Sequence, residues 1–226
     1  RRWSATKAYL QPIRNRKNLT ILTKTLVHRV NLERKNSSIL ARSVTTSSFD
    51  NATKTTKIYA RKEVILAAGA IGSPQILQLS GIGNPKNLAE VGIELKVDLP
   101  GVGENLHDHL QLRSIYSVEN TKTLNHKFNS LVGKLSMGLE YLFFKTGPLT
   151  MPPSQLGAFA KSHSSRTNSN LERHVQPLSL DKFGSPLHKF EGITPAVCNL
   201  QPTSRGSVKI TSPFPNDYPK ITLNYL

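Results

Sequence analysis

A chain of 226 residues can bury one or two cores, yet only 37% of its side chains are apolar, which points to much loop and irregular surface or to a core completed by sequence beyond it. The net charge of +16 sits almost wholly in residues 1–62, where fifteen Lys and Arg face two acids; it is scattered along strand-like segments, with no basic helical stripe or basic-aromatic interleaving, so no nucleic acid is expected as a partner. No stretch approaches the roughly 18 apolar residues of a membrane span, so no transmembrane segment is expected, and the single cysteine, Cys198, excludes an intrachain disulfide and a thiolate metal cluster.

In chain order, Ser4 is placed to cap a short helix that runs to Leu10 and stops at Pro12. Residues 19–22 and 25–30 read as two strands, rich in β-branched side chains, and the polar residues 33–56 as a flexible hairpin excursion. Val64 to Ala67 is a short continuous apolar run, the pattern of a buried parallel strand. It leads into the small-residue bend Ala68-Gly69-Ala70 and a helix for which Ser73 is the cap and Pro74 the first turn, stopped at Ser80-Gly81-Ile82-Gly83. Asn84 to Gly92 reads as a loop and short helix closed by Gly92, and residues 93–99 as a strand that delivers the bend Gly101-Val102-Gly103.

Residues 111–118 alternate as a strand. Leu124, Phe128, Leu131, Leu135, Leu139, Leu142 and Phe143 recur three or four apart, predicting one amphipathic helix within residues 121–146, ended by Gly147-Pro148 and followed by the rigid loop Met151-Pro152-Pro153. Residues 161–174 are polar and expected on the surface; residues 194–200 and 207–211 read as strands joined by a turn-forming spacer.

A strand, a small-residue bend and a helix bring backbone close to a bulky cofactor, and the helix start offers free N–H groups to oxygens. The bend Ala68-Gly69-Ala70-Ile71-Gly72-Ser73 is not the phosphate-binding GxGxxG pattern, however, and close helix-to-strand packing explains it equally well. The loop at 97–109 gathers Asn105, His107, Asp108 and His109. It can be a metal site, although His107 and His109 alternate faces if extended; an acid–base pair of His109 and Asp108; or a polar loop whose side chains fix its own shape. Neither Ser73 nor Ser80 sits in a nucleophile elbow, and His28, His126, His163, His174 and His188 stand alone in the sequence, as surface or packing residues. Glycosylation acceptors at Asn18, Asn36 and Asn51 permit a secreted protein.

The run Gly69-Ala70-Ile71-Gly72-Ser73-Pro74-Gln75-Ile76-Leu77-Gln78-Leu79-Ser80-Gly81-Ile82-Gly83 resembles the second signature of the glucose-methanol-choline (GMC) family of FAD-dependent oxidoreductases. Further blocks resemble the family in the same order: residues 2–13 its Arg-x-Ser-Ala segment, 18–30 its Asn-Leu strand pair, 97–109 the loop after it, and 202–208 with 219–226 the approach to its C-terminal catalytic segment. Gly147-Pro148-Leu149-Thr150 resembles the insect, glucose-dehydrogenase-like branch.

The resemblance implies an α/β fold in which part of a Rossmann-type FAD-binding domain is interleaved with an α+β substrate domain built on an antiparallel sheet. Residues 1–17 would be an interface helix, 18–110 part of the FAD domain and 111–226 part of the substrate domain. It implies FAD as cofactor, an alcohol or sugar as substrate, hydride transfer to flavin N5, oxygen or a quinone as electron acceptor, and an extracellular location. Carried onto matching positions, it makes Val27, Ala68, Gly69, Ser73, Asn105, Asp108 and His109 cofactor-side residues, with no metal. The family's N-terminal GxGxxG loop is expected before Arg1 and its catalytic histidine beyond Leu226, so residues 1–226 resemble an internal fragment that by itself neither binds FAD tightly nor turns over alcohol. A non-catalytic remnant with a structural or binding role is the alternative.

Overall fold

β-Branched and hydroxyl side chains dominate residues 25–59, and the chain there runs as three antiparallel strands, β1 (Thr25–Lys35), β2 (Ser38–Ser48) and β3 (Asn51–Tyr59). The computed structural model describes residues 3–152, 154–182 and 184–225; Arg2 of the opening motif, Pro153 and Leu226 lie outside the described residues. Beyond β3 come helix α1 (Gly69–Leu79), β4 (Ile82–Gly83), α2 (Pro85–Glu90), β5 (Val97–Asp98), β6 (Glu104–Leu106), β7 (Gln111–Arg113) and β8 (Tyr116–Ser117). They are followed by α3 (Leu124–Asn129), α4 (Leu131–Phe144), β9 (Leu156–Ala160), β10 (Leu171–Gln176), β11 (Gly192–Asn199), β12 (Gly206–Lys209) and β13 (Lys220–Thr222). Contacts divide the chain into two units, residues 20–108 with 203–226, and residues 1–19 with 109–202.

In the first of these units, the excursion at 33–56 is regular sheet. β1 and β2 turn at Asn36, a residue type that accepts the left-handed φ of 55°, and pair from Lys35 with Ser38 back to Thr25 with Ser48. Its polarity is compatible with burial because the hydroxyls pair across strands: Asn31 Nδ2 donates to Ser43 Oγ at 3.0 Å and to Thr45 Oγ1 at 2.9 Å. The run at 19–22 joins no strand. Nor does Val64 to Ala67, expected as a buried parallel strand: it is unpaired, and Ile65 is 77% exposed. A parallel strand exists through the ladders of its neighbours, and among the described residues no strand lies alongside it. The parallel pairing that does form is short, Ile82 with Val97 and Gly83 with Asp98, so the strand expected over 93–99 reduces to β5.

Helix α1 starts more than a turn before its expected cap. Ala68 occupies the N-cap position, Ser73 accepts the Ala68 N–H on its hydroxyl at 3.1 Å, and Pro74 lies inside the helix. Gly69, at φ 79°, makes the sharp entry that lets the helix begin there. The other end is welded in place. Ser80 Oγ donates to the Ile76 carbonyl at 2.6 Å and accepts the Val30 N–H of β1 at 2.8 Å, while Leu79 packs with Leu88 of α2 and Ile210. Asn84 caps α2, accepting from Lys86 N at 2.9 Å, and the closure at Gly92, φ 71°, is the one that the sequence predicts. Residues 203–226 pair within this unit, in the sheet order β13-β12-β6, whereas the sequence division groups them with 111–202. The strands at 192–199 and 206–209 therefore lie in different sheets and make no hairpin.

The other unit opens with a tight helical turn, residues 6–13, for which Ser4 Oγ accepts the Lys7 N–H at 3.3 Å. Its sheet is antiparallel, β7-β11-β10-β9, with β8 also on β11. β10, which begins in the stretch expected on the surface, is a central strand. The single helix expected over 121–146 is two, broken at Ser130, whose extended backbone and hydroxyl cap α4 through Gly133 N at 3.3 Å. A side chain on Gly133 would strike the Lys127 backbone, so the glycine permits the two helices to meet this closely. The apolar stripe of α4 is mostly exposed, Met137 excepted. Asn125, 1% exposed, ties α3 to the loop before β11: its Nδ2 reaches Ser179 Oγ (2.9 Å) and the carbonyls of His188 (3.0 Å) and Phe190 (3.1 Å), and its Oδ1 accepts Ser179 N (2.9 Å).

Two substitutions test these ties. Ser80→Ala removes the acceptor of a buried N–H and Asn125→Ala strands several buried groups at once; each is expected to cost about 1–3 kcal/mol or more in urea unfolding followed by circular dichroism. Losses well under half a kcal/mol would contradict the roles of these two side chains.

Candidate functional site

Within the unit of 20–108 and 203–226, helix α1 and the 102–107 loop form the two walls of a cleft of about 370 Å³. Ala70, Ser73, Pro74 and Leu77 make one wall, the loop from Val102 to His107 the other, and Val208 of β12 also lines it. Two features of the sequence set this geometry. Pro74 has no N–H, so the Ala70 carbonyl lacks its helical donor at the cleft wall. Gly103, at φ 80°, presses its backbone against β12: Val208 N donates to Gly103 O at 2.6 Å, and a Cβ on Gly103 would run into the Val208 carbonyl and the Gln78 amide.

Behind the cleft, Gln78 is 2% exposed and uses both ends of its amide, Nε2 donating to Val208 O at 2.9 Å and Oε1 accepting Ile210 N at 3.1 Å. Asn105 holds the loop in a left-handed turn at φ 64°, and its Oδ1 lies 3.4 Å from His107 Nε2. Asp108 accepts the hydroxyl of Tyr225, joining the end of the loop to the chain past β13. That bond, reinforced by burial and by the carboxylate charge, raises the Tyr225 ionisation above the ordinary tyrosine range.

Of the residues expected from sequence, Ser73 and Asn105 line the cleft. Ala68 and Gly69 stand exposed at the helix entry, just ahead of Ala70. Val27 lies on β1, opposite Thr46, away from the lining; Asp108 is engaged by Tyr225; and His109 begins the other unit, while His107 takes a place in the wall. Sequence reasoning missed Gln78 and Tyr225. A glutamine held between Leu77 and Leu79 at the apolar end of a helix is a signal in itself, whereas nothing local to Tyr225 announces Asp108, 117 positions away. The histidines read as solitary have partners: His28 with Ser47 Oγ (2.7 Å), His126 with Glu191 (3.4 Å), His174 with Glu172 (3.2 Å), and His188 with Asp181 (3.1 Å) while stacking on Phe190.

The GMC oxidoreductase family model matches residues 1–111, and over its whole length the chain is 37% identical to the oxygen-dependent choline dehydrogenases of Brucella anthropi and Yersinia pestis. Residues 1–111 belong to the GMC oxidoreductase family. The chain spans 40% and 39% of the length of those two relatives. Among solved structures, the chain is similar to pyridoxine 4-oxidase from Mesorbium loti, with a TM-score of 0.77 and 27% identity over 100% of this chain and 39% of that one. It resembles formate oxidase in fold, with a TM-score of 0.81 and 21% identity over 93% of this chain and 41% of that one. Its mixed α/β architecture matches the FAD-binding and substrate-sheet arrangement of this family.

The Asp108–Tyr225 bond gives a pH prediction. A phenol whose ionisation is raised in the folded state contributes stability in full below the unfolded tyrosine value, and loses it as pH rises through the raised one. Difference absorbance of tyrosinate should show one residue titrating late, absent in Tyr225→Phe and shifted down in Asp108→Asn. Titration unchanged by both substitutions would show that this bond does not form in solution.

Proposed function

We propose that this chain supplies cofactor-side scaffold to an FAD-dependent oxidoreductase that converts a CH–OH group of an alcohol or sugar to a carbonyl. The observation that carries the reading is the shared cleft, where the small-residue start of α1 and the 102–107 loop, distant in sequence, face each other within the residues that belong to this family. The residues fit a planar, partly anionic group. Ala70 and Gly103 keep the walls close to backbone, the first N–H groups of α1 have no intrahelical acceptor, and about 370 Å³ lies within the roughly 300–1,000 Å³ of small-molecule sites.

Ala68, Gly69 and Ser73 would hold the cofactor at the start of α1, Asn105 at the opposite wall, and Val27 through its backbone at the adenine end, with Asp108 and His109 shaping the end of the loop. Bound FAD would supply the hydride acceptor. The chain's own residues position it, exclude water with Leu77, Val102 and Val208, and offer hydrogen bonds from Ser73 and Asn105; proton abstraction is assigned to no residue of this chain. Oxygen or a quinone as acceptor and an extracellular location belong to the same proposal. So does a glucose-dehydrogenase-like substrate, for which the support is Gly147-Pro148-Leu149-Thr150, which forms the turn after α4.

Titration of the ¹⁵N-labelled chain with FAD tests the site at any affinity. Amide shifts are expected to concentrate on residues 69–77 and 102–107 and to vanish in Gly103→Val, where strain and collision deform the loop. Shifts spread over β9, β10 and β11 instead, or unaltered by the substitution, would overturn the assignment.

A further inference from the structure

In the unit of residues 1–19 and 109–202, strand pairing brings together three donors that the sequence keeps apart. Glu172 and His174 are two positions apart on β10, hence on one face, and Cys198 of β11 is the direct cross-strand partner of Glu172. One ligand atom from each, a carboxylate oxygen, an imidazole nitrogen and the thiol sulfur, lies within 4.8 Å of the others, and His174 Nε2 is 3.2 Å from Glu172 Oε1. We propose that Glu172, His174 and Cys198 form a binding site for a divalent transition-metal ion of borderline softness, of which Zn²⁺ is the type.

Four observations support this reading. The donor set is mixed N, O and S, which suits an ion that accepts all three and which neither a hard oxygen-seeking cation nor a soft thiolate-seeking one prefers. Donor separations in a tetrahedral site are roughly 3.3–3.6 Å, so closing the cluster takes about an ångström of side-chain movement and no backbone shift. The cross-strand neighbours of His174 are small, Ala196 on β11 and Gly157 on β9. The supports are also placed, since Gln111 of β7 is the cross-strand partner of Cys198, and all the ligands project from paired strands and from no loop.

Access is built in as well. The Glu172 and His174 side chains are 24% and 29% exposed, whereas Cys198 is 6% exposed, so an ion enters from the carboxylate and imidazole side and meets the thiol at the base. Three protein ligands leave one position of a tetrahedron for water or a small anion. Arg113 shares this face of the sheet, cross-strand to Ala196, where its Nη2 lies 3.4 Å from Gln176 Oε1.

The test uses the full chain, freed of metal by chelator and dialysed. Zn²⁺ competed against a chromogenic chelator should bind one ion per chain, and Co²⁺ should give a thiolate charge-transfer band with the intense visible absorption of a tetrahedral centre. Cys198→Ser should abolish the charge-transfer band, and Glu172→Gln and His174→Gln should each weaken Zn²⁺ by tenfold or more. Glu172→Gln changes a partly exposed residue without altering its shape, so it keeps the test valid if the buried serine variant fails to fold. No stoichiometric ion, no thiolate band in the parent chain, or an affinity indifferent to Glu172→Gln and His174→Gln would overturn the proposal.

Discussion

The side-chain amide of Gln78 is the constraint on which the cleft depends. A helix and a strand meeting at a buried surface normally do so through apolar packing, which tolerates sliding; a buried amide that must satisfy both a donor and an acceptor does not. Gln78 fixes α1 against Val208 and Ile210 in one register, because any slip strands polar groups away from water. Gly103 then has one place to go, against the same Val208 backbone, and the 102–107 loop is set opposite the start of the helix. Ser80 performs the matching task toward β1 through Val30. The geometry of the cleft is thus inherited from two polar side chains at one end of α1, with Leu79, Leu88 and Ile210 supplying the apolar contact between them.

The two units solve the problem of polar burial in different ways. In the unit of 20–108 and 203–226, hydroxyls and amides pair across β1, β2 and α1. In the unit of 1–19 and 109–202, Asn125 collects the carbonyls of the 177–191 loop, and Glu191 accepts from both the N–H and the hydroxyl of Thr123, at 2.5 and 2.7 Å. Those bonds, with His126 and Lys122 nearby, hold the Glu191 carboxyl below its usual range. The modest apolar content of the chain is therefore offset by specific hydrogen bonding, which fixes conformation more narrowly than it adds stability.

Local features were legible in the sequence because they are decided locally. Gly92 closes the segment of α2, and Ser80-Gly81 ends α1, since stop signals involve residues within a turn. The facing of α1 and the 97–109 loop was legible only through family resemblance. Much of what failed depends on partners far along the chain. Val64 to Ala67 has the apolar run of a strand and no neighbour to make it one; the pattern at 124–143 hides a break because Ser130 fits a helix stripe as readily as a cap. Polar residues 33–56 looked flexible because their burial rests on cross-strand pairs such as Asn31 with Thr45, invisible to a one-dimensional reading. The same blindness covers Asp108 with Tyr225 and the meeting of Cys198 with Glu172.

Hydrogen exchange at the Ile210 amide tests the central role of Gln78 most directly. In Gln78→Met, close in volume but unable to accept or donate as the amide does, that amide should exchange about tenfold faster or more than in the parent chain. Amides of β10 and β11 should be unaffected. Exchange at Ile210 unchanged by the substitution would mean that apolar packing alone holds α1 to its sheet, and that Gln78 does not set the shape of the cleft.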